Sequence, residues 1–478
     1  MANHRLKDLR GSDRRNFLRL MGFAGAALAL ERSKFLNFLA DEGGTALADD
    51  AACASVNRSV HISAGNGSFG WYQLLWPHIA IAQADNASFA YHATAATTLF
   101  YQGDKMFAYA PEAPWVEMGA PTRPMTAFMS GENETHTLTP NKSDKIASNA
   151  TLCATVAAIQ RAQPVLLPVL GVGTVSLGDA PGAPAVATVP TGDTMVDLFN
   201  SAASQATLQL KENKDLYETY YKAVLGLREA AGRPTWARQL EITKTAANLL
   251  SRNLADQLRP LPADLDAYGI GMNTFPATIT NANAIEKLKN IGTTLIVTAR
   301  AFRLGLTNSV MLSTTDIGTG DDVFTDPHKA FNNMTQLQSI VQLFGAMFNG
   351  FYKDLASSPD PTCQMQTLDK SVIFTVHGDT PKTPRQREAW PDATENDSNW
   401  LYVMGGGYLR TGWYGGVRAD GTTYGFEPSD GSDKDGQKSN VTTNAACASV
   451  AYAVSKGNMS KVQEFYKGPP IDGIVVKQ

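Results

Sequence analysis

Charge is scarce in this chain. Asp, Glu, Lys and Arg supply only 18% of its 478 residues, and the formal net charge is −4. Asn, Thr, Ser and Gly fill the polar positions instead, a composition common among exported proteins. No basic stripe interleaved with aromatics occurs, so no nucleic acid is expected as a partner. Beyond the first fifty residues no apolar run approaches the roughly twenty needed to cross a bilayer core, so no stable membrane span is expected there. Cysteine is rare too. Cys53, Cys153, Cys363 and Cys447 lie far apart with no Cys-x-x-Cys, which argues against a structural zinc site. In an oxidising compartment they could form two disulfides, with three pairings open. The P-loop Lys-Ser/Thr, the dinucleotide fingerprint, the G-x-S-x-G elbow and H-E-x-x-H are all missing. So are haem and iron–sulfur motifs, and no organic cofactor is expected.

What the sequence does have begins at its amino end. Ser12 to Arg19 reads S-D-R-R-N-F-L-R, and the apolar run Met21 to Leu30 follows. That run is about half the length of a membrane span and right for a signal h-region. Ala46-Leu47-Ala48 offers a small-x-small cleavage site. Arg14, Arg15, Phe17, Leu18 and Arg19 resemble a twin-arginine signal. The resemblance implies export in the folded state, the twin-arginine translocase as a transient partner, and a working place in the periplasm or outside the cell. Removing 48 residues from 478 leaves 430, enough for one large α/β domain or two ordinary ones.

Along the mature chain, Ser59 to Ala64 reads as a buried strand ending in the turn Gly65-Asn66-Gly67. Residues 110–195 read as a loop-rich insertion, interrupted by a strand at Val165 to Val172. Met195 to Leu258 carries helical spacing, stopped by Pro260 and Pro262. Helices are expected at Ala284 to Leu304, Lys329 to Leu355 and Thr443 to Val454. Strands are expected at Ser309 to Ser313, Ser371 to Val376, Trp400 to Met404 and Gly473 to Lys477. Strands alternating with long helices predict an α/β domain with a mostly parallel central sheet flanked by helices. Ligand sites in such sheets lie at the carboxyl ends of strands. The turns singled out are therefore 65–67, 314–328, 377–384 and 405–416.

Polar residues collect in those turns. Asp316, Asp321, Asp322, Asp326 and His328 share one loop. Carboxylates with an imidazole suit a divalent metal such as zinc, manganese or calcium. The competing reading is an acidic surface loop in which Asp326 caps the next helix. His377 sits at the end of the central strand, with Asp379 and Thr380 next. Here the alternative is a packed histidine beside an Asp turn. Glu132, Glu134 and His136 form a weaker cluster, near the hydroxyls of Thr126, Ser130 and Thr135. Gly405 to Gly407 lacks phosphate-loop spacing and reads as close backbone packing. Gly431 to Gly436 lacks the acidic end ligands of a calcium loop and reads as solvated.

The order of segments from Ser371 onward resembles an exported bacterial family, domain of unknown function 1501, within the alkaline phosphatase/sulfatase superfamily. Ser371 to Pro381 occupies that family's Glu-Phe-Gly-Arg-Thr-Pro strand. Asp397-Ser398-Asn399-Trp400 occupies its Asp-His-Trp slot. Val403 to Gly407 matches its glycine run, and Pro469 to Ile474 its closing segment. The resemblance implies an alkaline-phosphatase-like layered domain over 49–478. It also implies metal-dependent hydrolysis of phosphate or sulfate esters in members that keep their ligands. This chain departs from the pattern. The Gly-Gly-x-Asp aspartate falls near Asn66 or Ser68, the Trp-Asp-Thr-His slot keeps Asp316 but loses its histidine, and the Asp-His-Trp histidine is Asn399. Two readings follow. In one, the chain is a non-catalytic envelope protein that binds a partner or ligand. In the other, Asp316, His328, His377 and Asp379 hold a metal, and Thr126 or Thr135 attacks a small ester substrate.

Overall fold

A computed structural model gives the fold. It describes residues 53, 56–63, 98–102, 105–109, 124–131, 144–163, 165–202, 254–314, 334–378, 399–404, 406–417 and 423–477. In chain order the strands are β1 Arg58–Ser63, β2 Thr98–Gln102, β3 Lys105–Tyr109, β4 Met125–Gly131, β5 Lys145–Ala147, β6 Ala150–Thr151, β7 Leu167–Val172, β8 Ala187–Val189, β9 Thr307–Ser313, β10 Pro359–Asp360, β11 Cys363–Thr367, β12 Val372–His377, β13 Asn399–Met404, β14 Gly412–Tyr414, β15 Gly416–Val417, β16 Thr423–Phe426 and β17 Asp433–Lys434. The helices are α1 Leu152–Gln160, α2 Gly192–Ala202, α3 Leu254–Leu258, α4 Pro262–Ala267, α5 Ala282–Arg303, α6 Met334–Ser357, α7 Ser439–Val454 and α8 Met459–Gln463.

Eight strands form the central sheet, in the order β14-β4-β13-β12-β1-β9-β7-β8. The neighbours run parallel except where β13 meets β12 and β4. Every residue of β1, β12 and β13 is buried, as expected of strands covered on both faces. Alternate residues face opposite ways. Phe374 of β12 therefore packs on one face against α6, with ring centroids 5.0 Å from Phe348 and 5.9 Å from both Phe351 and Tyr352. Its neighbour Ile373 joins the other core with Phe128, Leu401 and Val403, under the alanine-rich helix α7. On that same face α1 places Ala154 and Ala157 against Val169 and Met311. The result is a three-layer mixed α/β arrangement with a mostly parallel sheet.

Local chemistry sets the helix ends. The Asn281 side chain accepts the Ala284 amide at 3.0 Å and starts α5. Gly305, at φ 66°, ends it: the Leu306 amide turns back onto the Ala301 carbonyl at 2.9 Å. That reversal delivers the chain directly into β9.

The chain divides into two compact units. One comprises Cys53–Arg161, Leu167–Met195 and Pro260–Gln478, and holds the sheet; the other comprises the remaining segments. Of the second unit, the described residues include α3 and most of α2.

Several expectations change. Within 110–195 the strand expected at Val165 to Val172 is β7, and the loop-like stretches around it also hold β4 and β8, all strands of the central sheet. The expected tail strand at Gly473 to Lys477 is only a single bridge, Leu409 to Val475. One disulfide forms, Cys53–Cys363, while Cys153 and Cys447 are buried free thiols. The bonded pair sits beside the amino end of β1. There Asn57 donates to the Val454 carbonyl at 2.7 Å, the Arg58 amide donates to the Ser371 carbonyl at 2.8 Å, and the Arg58 guanidinium pairs with buried Asp360 at 3.0 Å.

Candidate functional site

The carboxyl ends of β1, β9 and β12 lie side by side. Ser63 pairs in register with His377 on one side and with Ser313 on the other. The segments carrying the sequence candidates leave the sheet from these ends and from Gly131 of β4. Asp316, His328, Asp379 and Thr135 lie outside the described residues, as do Asp321, Asp322, Asp326, Thr380, Glu132, Glu134 and His136. His377 and Thr126 are described with their side chains, and Ser130 is placed by its backbone in β4.

His377 closes β12 and is buried. Gly378 follows because nothing larger fits: a Cβ there would lie 2.2 Å from the Trp400 ring. One register step inside the strand end, on the same face, stands His61 of β1. The two imidazole centroids are 5.8 Å apart. Sequence reasoning passed over His61. The strand period of two in S-V-H-I-S puts Ser59, His61 and Ser63 on one face, but the partners of His61 across the sheet come only from the register.

His61 is tied to the neighbouring strand. Its Nδ1 lies 2.7 Å from the Thr375 hydroxyl oxygen, which also lies 3.2 Å from the Val60 carbonyl. Burial disfavours the imidazolium and lowers the His61 pKa to about 4. His61, Ser63, Asp144, Cys153, Ser176 and His377 line a small cavity between the sheet and α1. The Ser63 hydroxyl is buried there with no hydrogen-bond partner among the described residues. Behind the cavity Gln160 of α1 donates to the Asn57 carbonyl at 2.7 Å and to Ser59 Oγ at 3.3 Å, and Ser59 donates on to Ser309 at 3.1 Å. This face of the sheet is thus polar beneath α1, while the α6 face carries the aromatic packing on Phe374.

Thr126 does not join the row of strand ends. It pairs with Val403, at the level of Thr375, and its hydroxyl donates to the Arg410 carbonyl at 2.8 Å. The glycine run Gly405 to Gly407 also moves away from the site. Because β13 runs antiparallel, its carboxyl end emerges at the opposite edge of the sheet, while its first residue, Asn399, lies at the site edge. The Asn399 carboxamide is buried and accepts the Trp400 amide at 2.7 Å. Among the described residues no group of three or more His, Cys, Asp or Glu side chains is arranged to hold a metal ion. No described helix is long and apolar enough to cross a membrane. No family model, curated protein or solved structure matches the chain.

Proposed function

We propose that this is an exported envelope protein on an alkaline-phosphatase-like scaffold that binds a ligand or partner at the carboxyl edge of its sheet rather than hydrolysing an ester. The observation that carries this reading is Asn399. It occupies the slot where the related family has a histidine, and its carboxamide oxygen is committed to the Trp400 amide. The strands end at the same edge in Ser63 and Ser313, and neither side chain is an anionic ligand. The twin-arginine pattern and the disulfide support a working place in the periplasm or beyond it.

A second reading has one observation in its favour. The His61 and His377 rings stand 5.8 Å apart at the strand ends, burial keeps His61 neutral, and neutral imidazole nitrogens suit zinc. Asp316, His328 and Asp379 would then complete the set with His377, and the metal would polarise a phosphoryl or sulfuryl oxygen.

Elemental mass spectrometry of mature protein recovered from the envelope separates the two. Protein that carries no metal, takes up none, and leaves nitrophenyl phosphate and sulfate intact is the expected result. Chelator-sensitive hydrolysis abolished by His377→Ala would overturn the binding reading.

A further inference from the structure

The four cysteines fall into two classes by access. Cys53 is exposed and Cys363 half-exposed, with Cα atoms 4.5 Å apart. Cys153 of α1 and Cys447 of α7 are buried, at 5% and 1% exposure. Burial pushes both buried thiols well up, and the Asp144 carboxylate nearby pushes them further. Exchange needs an accessible thiolate, so in the folded chain only the first pair is reactive.

The segments that carry the first pair are also held by contacts other than the bond. β1 is hydrogen-bonded on both sides, to β12 and β9. Asn57 and Arg58 are anchored on Val454, Ser371 and Asp360. The exposed pair is thus brought together by contacts that a reduced chain can make. It also joins the same two segments as the buried Arg58–Asp360 ion pair, because Asp360 and Cys363 are register partners in the β10–β11 hairpin.

We propose that Cys53–Cys363 is a latch closed after the chain has folded, by exchange with a dithiol–disulfide oxidase of the cell envelope, and that Cys153 and Cys447 stay reduced. One thiolate of the pair attacks the oxidase disulfide to give a mixed disulfide. The second thiolate displaces it, forming the Cys53–Cys363 bond. The oxidase leaves as a dithiol, having taken both electrons and the two protons the cysteines lost. The latch fixes the amino end of the central strand close to where the leader is removed. The timing rests on the export reading; the reactivity of the two pairs does not.

The test uses full-length chain carrying Arg14→Lys and Arg15→Lys, purified reduced from the cytoplasm and treated with oxidised glutathione without denaturant. Thiols are then counted by alkylation and mass. The count should fall from four to two with a Cys53–Cys363 cross-linked peptide, and Cys53→Ser should instead stop at one glutathione on Cys363. Loss of thiols only after denaturant is added, or modification of Cys153 or Cys447, would overturn the latch. A bond already present in folded chain taken directly from the cytoplasm would also overturn it. If the double-lysine variant still reaches the envelope, the twin-arginine route fails, and the thiol count on chain retained in the cytoplasm continues to judge the latch.

Discussion

Burial holds the His61 imidazole neutral and lowers its pKa to about 4, from 6.5 for an unperturbed histidine. The unfolded chain therefore binds a proton on His61 at a pH where the folded chain refuses it. The sign follows from linkage: stability from this residue is complete above pH 6.5 and falls as the pH drops towards 4. The loss across that window is about 3 kcal/mol. Asp360 belongs to a lower window. Burial alone would raise its carboxyl pKa, but the Arg58 guanidinium, with help from Ser371 and Thr362, holds it below the usual range. Its contribution is lost only as the pH falls through and below the ordinary carboxylate range. Urea unfolding at about pH 7.5 and about pH 4.5 should show the His61 slope in the parent chain and its absence in His61→Gln. Equal slopes in the two proteins would mean that His61 is not held neutral.

At the scale of elements, the aromatic contact between α6 and β12 joins one long helix to the middle of the sheet. Phe374 meets three rings there, and the strand carrying it is buried throughout. Phe374→Ala should cost about 3–5 kcal/mol in denaturant unfolding, because the cavity it leaves is walled by a helix and a sheet that cannot collapse. A cost below about 1 kcal/mol would show that α6 is not seated on β12. Elements of this kind were legible in advance. Ser371 to Val376 is a continuous run rich in strand-forming residues, and the spacing of Ala284 to Leu304 repeats over many turns, so strand and helix declared themselves by pattern. Other elements were hidden for physical reasons. β4 reads M-T-A-F-M-S-G, where the small and polar residues come in adjacent pairs that break the alternation of a strand, and it resembles the loops around it. The direction of β13 was invisible because hydrophobic periodicity is the same read forwards or backwards. That one reversal moved the glycine run to the far edge of the sheet and brought Asn399 to the near one. His377 was legible because it ends an unmistakable strand. His61 was not, because a single histidine inside a strand gains its meaning only from the register that sets it beside Thr375 and His377.

On the scale of the whole molecule, the amino end of the central strand is tied to a hairpin far along the chain. The Cys53–Cys363 bond spans 310 residues of sequence. A cross-link over so long a loop acts mainly on the unfolded chain, by forbidding its most extended states. Removing it should therefore differ in kind from removing a core side chain. Cys53→Ser should lose about 2–5 kcal/mol. It should also unfold with a steeper dependence on denaturant, because the released chain exposes more surface when it opens. Phe374→Ala acts on the folded state, so it should lower the midpoint and leave the slope unchanged. Unfolding curves of the two variants beside the parent chain make the comparison. If Cys53→Ser lowered the midpoint with an unchanged slope, the bond would be acting inside the folded molecule, as a brace for the Arg58–Asp360 pair it sits beside. Buried guanidinium and carboxylate would then depend on the cross-link for their geometry, and Asp360→Asn in the reduced chain would add little to the loss.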